Sequence, residues 1–110
     1  MSLRTRSEAV LSAVKSYPVA QTVIVAAVAG QKVGIYRLVL QSSGASVVTV
    51  QDTAGVALSA TYTFTAGGQF LILDTPINND PWWQSGVGLG VQLNVTVAAV
   101  VADFWCLQTV

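Results

Sequence analysis

Leu89-Gly90-Val91-Gln92-Leu93-Asn94-Val95-Thr96-Val97 sets the reading of the whole chain. Leu89, Val91, Leu93, Val95 and Val97 fall at every second position, with Gly90, Gln92, Asn94 and Thr96 between them. Side chains of an extended chain alternate between two faces, so this period of two predicts a strand with one buried face. Downstream, Val100 to Val110 carries Val101, Trp105 and Leu107 on one face and Ala102, Phe104 and Cys106 on the other. Apolar residues on both faces predict a strand inside a sheet whose outer side is also covered.

Upstream the same rhythm repeats. Val19 to Val28 is rich in β-branched residues and stops at Ala29-Gly30. Val33 to Gln41 follows with almost no polar face, then the turn residues Ser42-Ser43-Gly44, then a strand over Ser46 to Asp52. Asp52-Thr53-Ala54-Gly55 has the form of a type I turn with glycine last. Val56 to Thr65 reads as one strand or two, with Tyr62 and Phe64 on one face and Thr61, Thr63 and Thr65 on the other. Ala66-Gly67-Gly68-Gln69 predicts a tight hairpin, because adjacent glycines supply positive φ angles. Phe70 to Leu73 returns, and residues 74 to 88 form one long irregular stretch. No helix of useful length competes after Pro18. The expected fold is all-β, an antiparallel β-sandwich of jelly-roll type with about seven or eight strands.

Composition narrows the function. The 110 residues fit one domain. Only 9% are charged, five positive against five negative, where an ordinary soluble domain carries about a quarter. With 53% hydrophobic side chains, a body this small has too few charges to cover its surface. Large exposed apolar patches mark contact sites, so the chain reads as part of an assembly. It has no histidine, which removes the commonest general acid-base and metal ligand. Cys106 is the single cysteine, so no internal disulfide framework exists. The longest apolar run, Val23 to Ala29, falls far short of the roughly 20 residues of a spanning helix, and no membrane partner is expected. Arg4 and Arg6 could start a secretory signal, but Glu8, Ser12, Lys15, Ser16 and Pro18 interrupt the apolar stretch that should follow. Nothing resembles a nucleic-acid motif.

Charge is uneven along the chain. Residues 1 to 15 hold Arg4, Arg6 and Lys15 against Glu8, whereas Lys32 and Arg37 face Asp52, Asp74, Asp80 and Asp103 in the remainder. Proline biases Tyr17 towards extended geometry at Ser16-Tyr17-Pro18. This predicts an N-terminal arm over residues 1 to 18 ahead of a domain over 19 to 110. The arm either frays or docks on a neighbour, and a short helix capped by Ser7 would fit Glu8 to Lys15.

Several residues invite a chemical reading. Asp74 and Asp80 flank the long loop, but a glycosidase pair needs a defined separation and one raised pKa, and turn-forming aspartate is the common use. Asn78, Asn79 and Asp80 lack the acidic ligands and glycine of a calcium loop. Asn94-Val95-Thr96 matches a glycosylation acceptor in the middle of a strand and is read as chance. No catalytic, cofactor or metal site is expected. Trp82 and Trp83 follow Pro81, and successive extended side chains point to opposite sides. One indole is expected to cap the core and the other to anchor a neighbour.

The succession Ala29-Gly30-Gln31-Lys32-Val33, Leu38-Val39-Leu40, Ser42-Ser43-Gly44-Ala45 and Val47-Val48-Thr49-Val50 continues through Ala57-Leu58-Ser59, Thr65-Ala66-Gly67-Gly68, Pro81-Trp82-Trp83 and Gly90 to Val97. In strand and turn rhythm this resembles small β-sandwich proteins encoded among tailed-phage structural genes, over residues 19 to 110. Members of that group serve as capsid decoration (cement) proteins or as fibre modules. The resemblance implies a virion surface protein, a homotrimer seated on the major capsid protein. Contacts to the capsid or to other subunits are expected from Arg4, Arg6, Leu11, Val14 and Tyr17 in the arm, and from Trp82, Trp83, Phe104 and Trp105. The alternative is a fibre or tail-associated adhesin that binds a host glycan through Trp82, Trp83 and Asp80.

Overall fold

The computed structural model describes residues 10–11, 15–75 and 80–109. Among these residues there is no helix, and ten strands build two antiparallel sheets. In chain order they are β1 (Val10–Leu11), β2 (Ser16–Tyr17), β3 (Gln21–Val25), β4 (Lys32–Ser42), β5 (Ser46–Asp52), β6 (Tyr62–Phe64), β7 (Phe70–Asp74), β8 (Trp83–Gln84), β9 (Val91–Thr96) and β10 (Val100–Thr109). The first sheet runs β1-β10-β4-β7, with β2 also on β10 and β8 also on β4. The second runs β3-β9-β5-β6. One buried cluster joins them: Leu38, Leu40, Phe104 and Cys106 from the first sheet meet Val48, Val50, Leu93 and Val95 from the second.

The period of two in β9 does what it predicts for Val91, Leu93 and Val95, which are buried. Val97 departs from it. The strand ends at Thr96, and Val97 turns out of the row with φ +79° and lies 71% exposed. The turn at Asp52 forms as expected. Gly55 N donates to Asp52 O at 3.0 Å, and Asp52 Oδ1 accepts from Ala54 N and Val56 N at 2.9 and 3.0 Å. Gly55 takes the positive φ of +90° that a side chain would resist.

Three expectations change. Ala66 to Gln69 is a tight turn, but not a hairpin, because β6 lies in the second sheet and β7 in the first. The turn is fixed on the end of β4 instead: Ser42 N donates to Gln69 O at 3.0 Å and Gly68 N to Ser42 O at 2.8 Å. A Cβ at Gly67 would sit 2.7 Å from Ser43 O, so glycine here permits close approach of two backbones. Val56 to Thr65 yields only β6 and a single bridge between Gln51 and Ala57. Ser59 Oγ accepts the hydrogen bond of Val50 N at 2.9 Å, so a side chain takes the place of a ladder partner there. The irregular stretch from 74 to 88 contains β8, paired through Gly34↔Gln84 and Ile35↔Trp83.

The segment expected to form a separate arm also contributes to the first sheet. Val10 and Leu11 pair with Cys106 and Trp105, so the helix expected over Glu8 to Lys15 is replaced by strand at those two positions. Ser16 and Tyr17 pair with Val101 and Val100. Tyr17 has no exposed surface and meets Phe104 edge to face, ring centroids 5.7 Å apart. The extended bias that Pro18 imposes on Tyr17 and the burial of its ring act in the same direction, because the core requires an extended chain here.

Candidate functional site

Register places nine residues in a three-by-three grid on the outer face of the first sheet. Val101, Gln41 and Phe70 form one row, Asp103, Val39 and Ile72 the next, and Trp105, Arg37 and Asp74 the third. Directly opposed residues of antiparallel strands share a face, so the pattern follows from the pairing alone. Phe70, Ile72 and Val101 are 60%, 58% and 49% exposed. Between Phe70 and Val101 lies a depression of about 450 Å³, floored by Val39 and Gln41 and rimmed by Lys15 and Asp103.

The charges on this face are paired with one another. Lys15 Nζ lies 2.6 Å from Asp103 Oδ1, and Arg37 Nη1 lies 3.1 Å from Asp74 Oδ2. Arg37 also covers Trp105, its guanidinium carbon 4.9 Å from the ring centroid. Of the seven described charged side chains, Lys32, Asp52 and Asp80 lie elsewhere and these four stand here. The result is an apolar patch with no net charge, which can lose its water without stranding an ion.

The patch ends where β4 bulges. Trp105 pairs with Arg37 and Cys106 with Ile35, leaving Tyr36 as the extra residue. Tyr36 and Leu107 then form a small separate buried cluster. The outer side of β10 is therefore covered at Leu107 and open at Val101, where full cover was expected. Cys106 points the other way, into the core, and burial pushes its thiol up to about 12.

The outer face of the second sheet differs in chemistry. Gln51 Oε1 accepts from Gln21 Nε2 at 3.0 Å and from Gln92 Nε2 at 2.9 Å, and the Thr49 and Thr61 hydroxyls lie 3.1 Å apart. These polar groups satisfy one another.

Among the residues expected to make contacts, Tyr17 and Phe104 have no exposed surface and serve the core instead. Trp105 is half-buried beneath Arg37, and Leu11 lies opposite it in register. Trp83 packs half-buried against the core, its ring 6.4 Å from Tyr62, while Trp82 is 44% exposed. One indole of the pair thus packs on the core and the other is exposed. Arg4, Arg6 and Val14 lie outside the described residues, as do Asn78 and Asn79. The Asp74 carboxylate is engaged by Arg37, and Asp80 is exposed. Among the described residues no three His, Cys, Asp or Glu side chains group as metal ligands, and no helix is long and apolar enough to cross a membrane.

Sequence reasoning missed Phe70, Ile72, Val39 and Arg37. The signal was present in Phe70-Leu71-Ile72-Leu73, apolar at both parities in a strand too short to be central. Comparison of the chain with protein-family models, curated proteins and solved structures finds no match to any of them.

Proposed function

We propose that this chain is a structural protein that works by contact, a β-sandwich of jelly-roll type that binds copies of itself and docks its open sheet face on another protein. The topology supports the jelly-roll reading. β1 and β2 share one flank of β10, and β7 and β8 share one flank of β4. Counting each shared flank as one position leaves eight, in orders 1-8-3-6 and 2-7-4-5, an order in keeping with the double Greek key of a jelly roll.

The observation that carries the contact role is the grid: three large apolar side chains about half or more exposed, beside ions already paired within the same face. Apolar patches of this kind on small proteins mark binding sites. The resemblance in strand and turn rhythm supplies the setting, a decorating subunit on the major capsid protein of a tailed-phage head. A ligand that binds only the assembled lattice stabilises it by mass action, and many copies acting together add avidity.

The test is the temperature at which heads rupture, measured with and without the protein and with Val101→Asp. The wild type should raise it and Val101→Asp should not, because an unpaired aspartate on a drying surface costs more than it gains. Equal rupture temperatures with and without wild-type protein would remove the cementing role. The adhesin reading is favoured by one observation, the exposure of Trp82. Saturable glycan binding lost in Trp82→Ala would support it.

A further inference from the structure

Among the described residues β7 ends the first sheet with one flank unpaired in the strand order, and its sequence is apolar on both faces. Phe70 and Ile72 stand on the open outer side, while Leu71 and Leu73 pack only partly buried against the core. Exposed edges are normally blunted by lysine, proline or a bulge. Phe70 to Leu73 contains none of these, and the β4–β7 register runs without a shift. The single charge, Asp74, is held by Arg37.

The backbone pattern is equally specific. Ser42 N bonds to Gln69 O at one end of the β4–β7 pair, and Thr75 N to Tyr36 O at the other. Counting by twos from these, Leu71 and Leu73 turn their peptide groups towards β4, and Phe70, Ile72 and Asp74 turn theirs away. A second strand can satisfy such a row of alternating donors and acceptors along its whole length.

We propose that β7 pairs antiparallel with β7 of a second copy across a two-fold axis at Ile72, joining two first sheets into one continuous sheet. This rests on the self-association proposed above and names its geometry. With Ile72 opposite the partner's Ile72, Phe70 falls opposite the partner's Asp74. All three outward-turned residues then meet in hydrogen-bonded positions, and no like charges stand directly opposed. A contact of this kind is isologous and closes at two, where the resemblance implies three.

Light scattering on the full chain and two variants decides it. The wild type should run at twice 11.5 kDa. Ile72→Pro removes an N–H that faces away from β4, so the internal ladder stays intact. That variant should run at 11.5 kDa with an unchanged far-ultraviolet spectrum. Ile72→Cys should cross-link to a dimer on oxidation, since opposed Cα atoms in such a pair lie about 5.5 Å apart, within disulfide range. Cys106 is buried and does not compete. An Ile72→Pro variant that keeps the wild-type mass, a trimeric wild type, or an Ile72→Cys variant that fails to cross-link overturns the edge pairing while leaving self-association standing. A monomeric wild type overturns both. If Ile72→Pro fails to fold, the cross-link alone decides.

Discussion

Arg37 lies over Trp105 with its guanidinium carbon 4.9 Å from the ring centroid, and the two are directly opposed across β4 and β10. The same guanidinium reaches Asp74 on the strand beyond. Its Nε is buried with no acceptor among the described residues, which fits a planar cation lying against a ring. Arg37 thus joins three strands of the outer face and neutralises the one acid on the β7 edge.

Lysine cannot reproduce this arrangement, because its ammonium is a point charge without a stacking plane. Arg37→Lys should therefore red-shift tryptophan emission as Trp105 gains water. The stability loss should stay at or below about 1 kcal/mol, since the site is part exposed. Emission spectra and urea midpoints measure both. An unshifted spectrum would mean that the ring is covered by something other than Arg37.

Tyr17 is the other residue whose place decides an argument. It is fully buried against Phe104, so Tyr17→Ala should cost about 3–5 kcal/mol, as large aromatic truncations in cores do. A urea midpoint within error of wild type would return residues 15–17 to the status of a dispensable arm.

The contrast between Tyr17 and Leu93 shows which parts of the fold are legible in a sequence. The burial of Leu93 is readable from its neighbours, because alternation is a local property of an extended chain. Tyr17 sits in a short polar context, and its burial depends on β10, more than eighty residues later. Turn chemistry is local as well, which is why Asp52 to Gly55 reads correctly. Ala66 to Gln69 also reads correctly as a turn and wrongly as a hairpin, because glycines specify the bend and not the sheet to which each flank belongs. The split between Trp82 and Trp83 follows from strand parity. The grid does not, since its rows exist only once β10, β4 and β7 are in register.

Cys106 gives a pH dependence with a definite sign. Burial raises its thiol from 9.0 to about 12 in the folded chain. Above pH 9 the unfolded chain gives up this proton while the folded chain keeps it, so stability falls as pH rises from 9.0 towards about 12. The slope is about 1.4 kcal/mol per pH unit for one proton. The readout is the difference between wild type and Cys106→Ala, so that every contribution common to both chains cancels. Parallel stability curves from about pH 8 to 11, a range that covers about the lower two units of that window, would contradict a buried thiol.

Val97 holds a left-handed backbone with a β-branched side chain, at φ +79° and 71% exposed. The left-handed region costs an L-residue roughly 1–2 kcal/mol, and asparagine tolerates it better. Little apolar contact is lost by replacing so exposed a side chain. Val97→Asn should therefore raise stability by about 1 kcal/mol in urea unfolding. A loss of stability would show that the valine packs in a way its exposure does not reveal.

Trp82 and Trp83 are adjacent, yet the structure separates stability from contact between them. Trp83 is half-buried against the core beside Tyr62, so Trp83→Ala removes packing from the end of the core. Partial exposure puts the cost at the lower end of the aromatic range, about 3 kcal/mol. Trp82 is 44% exposed, and its backbone N–H donates to Ile35 O at 2.9 Å, a bond that alanine keeps. Trp82→Ala should thus leave the urea midpoint within about 0.5 kcal/mol of wild type. Any loss of the proposed head binding in that variant then reports a contact made by the indole itself. If the two substitutions destabilise equally, the exposed ring is part of the core, and the division of labour between neighbouring residues in an extended segment fails at this site.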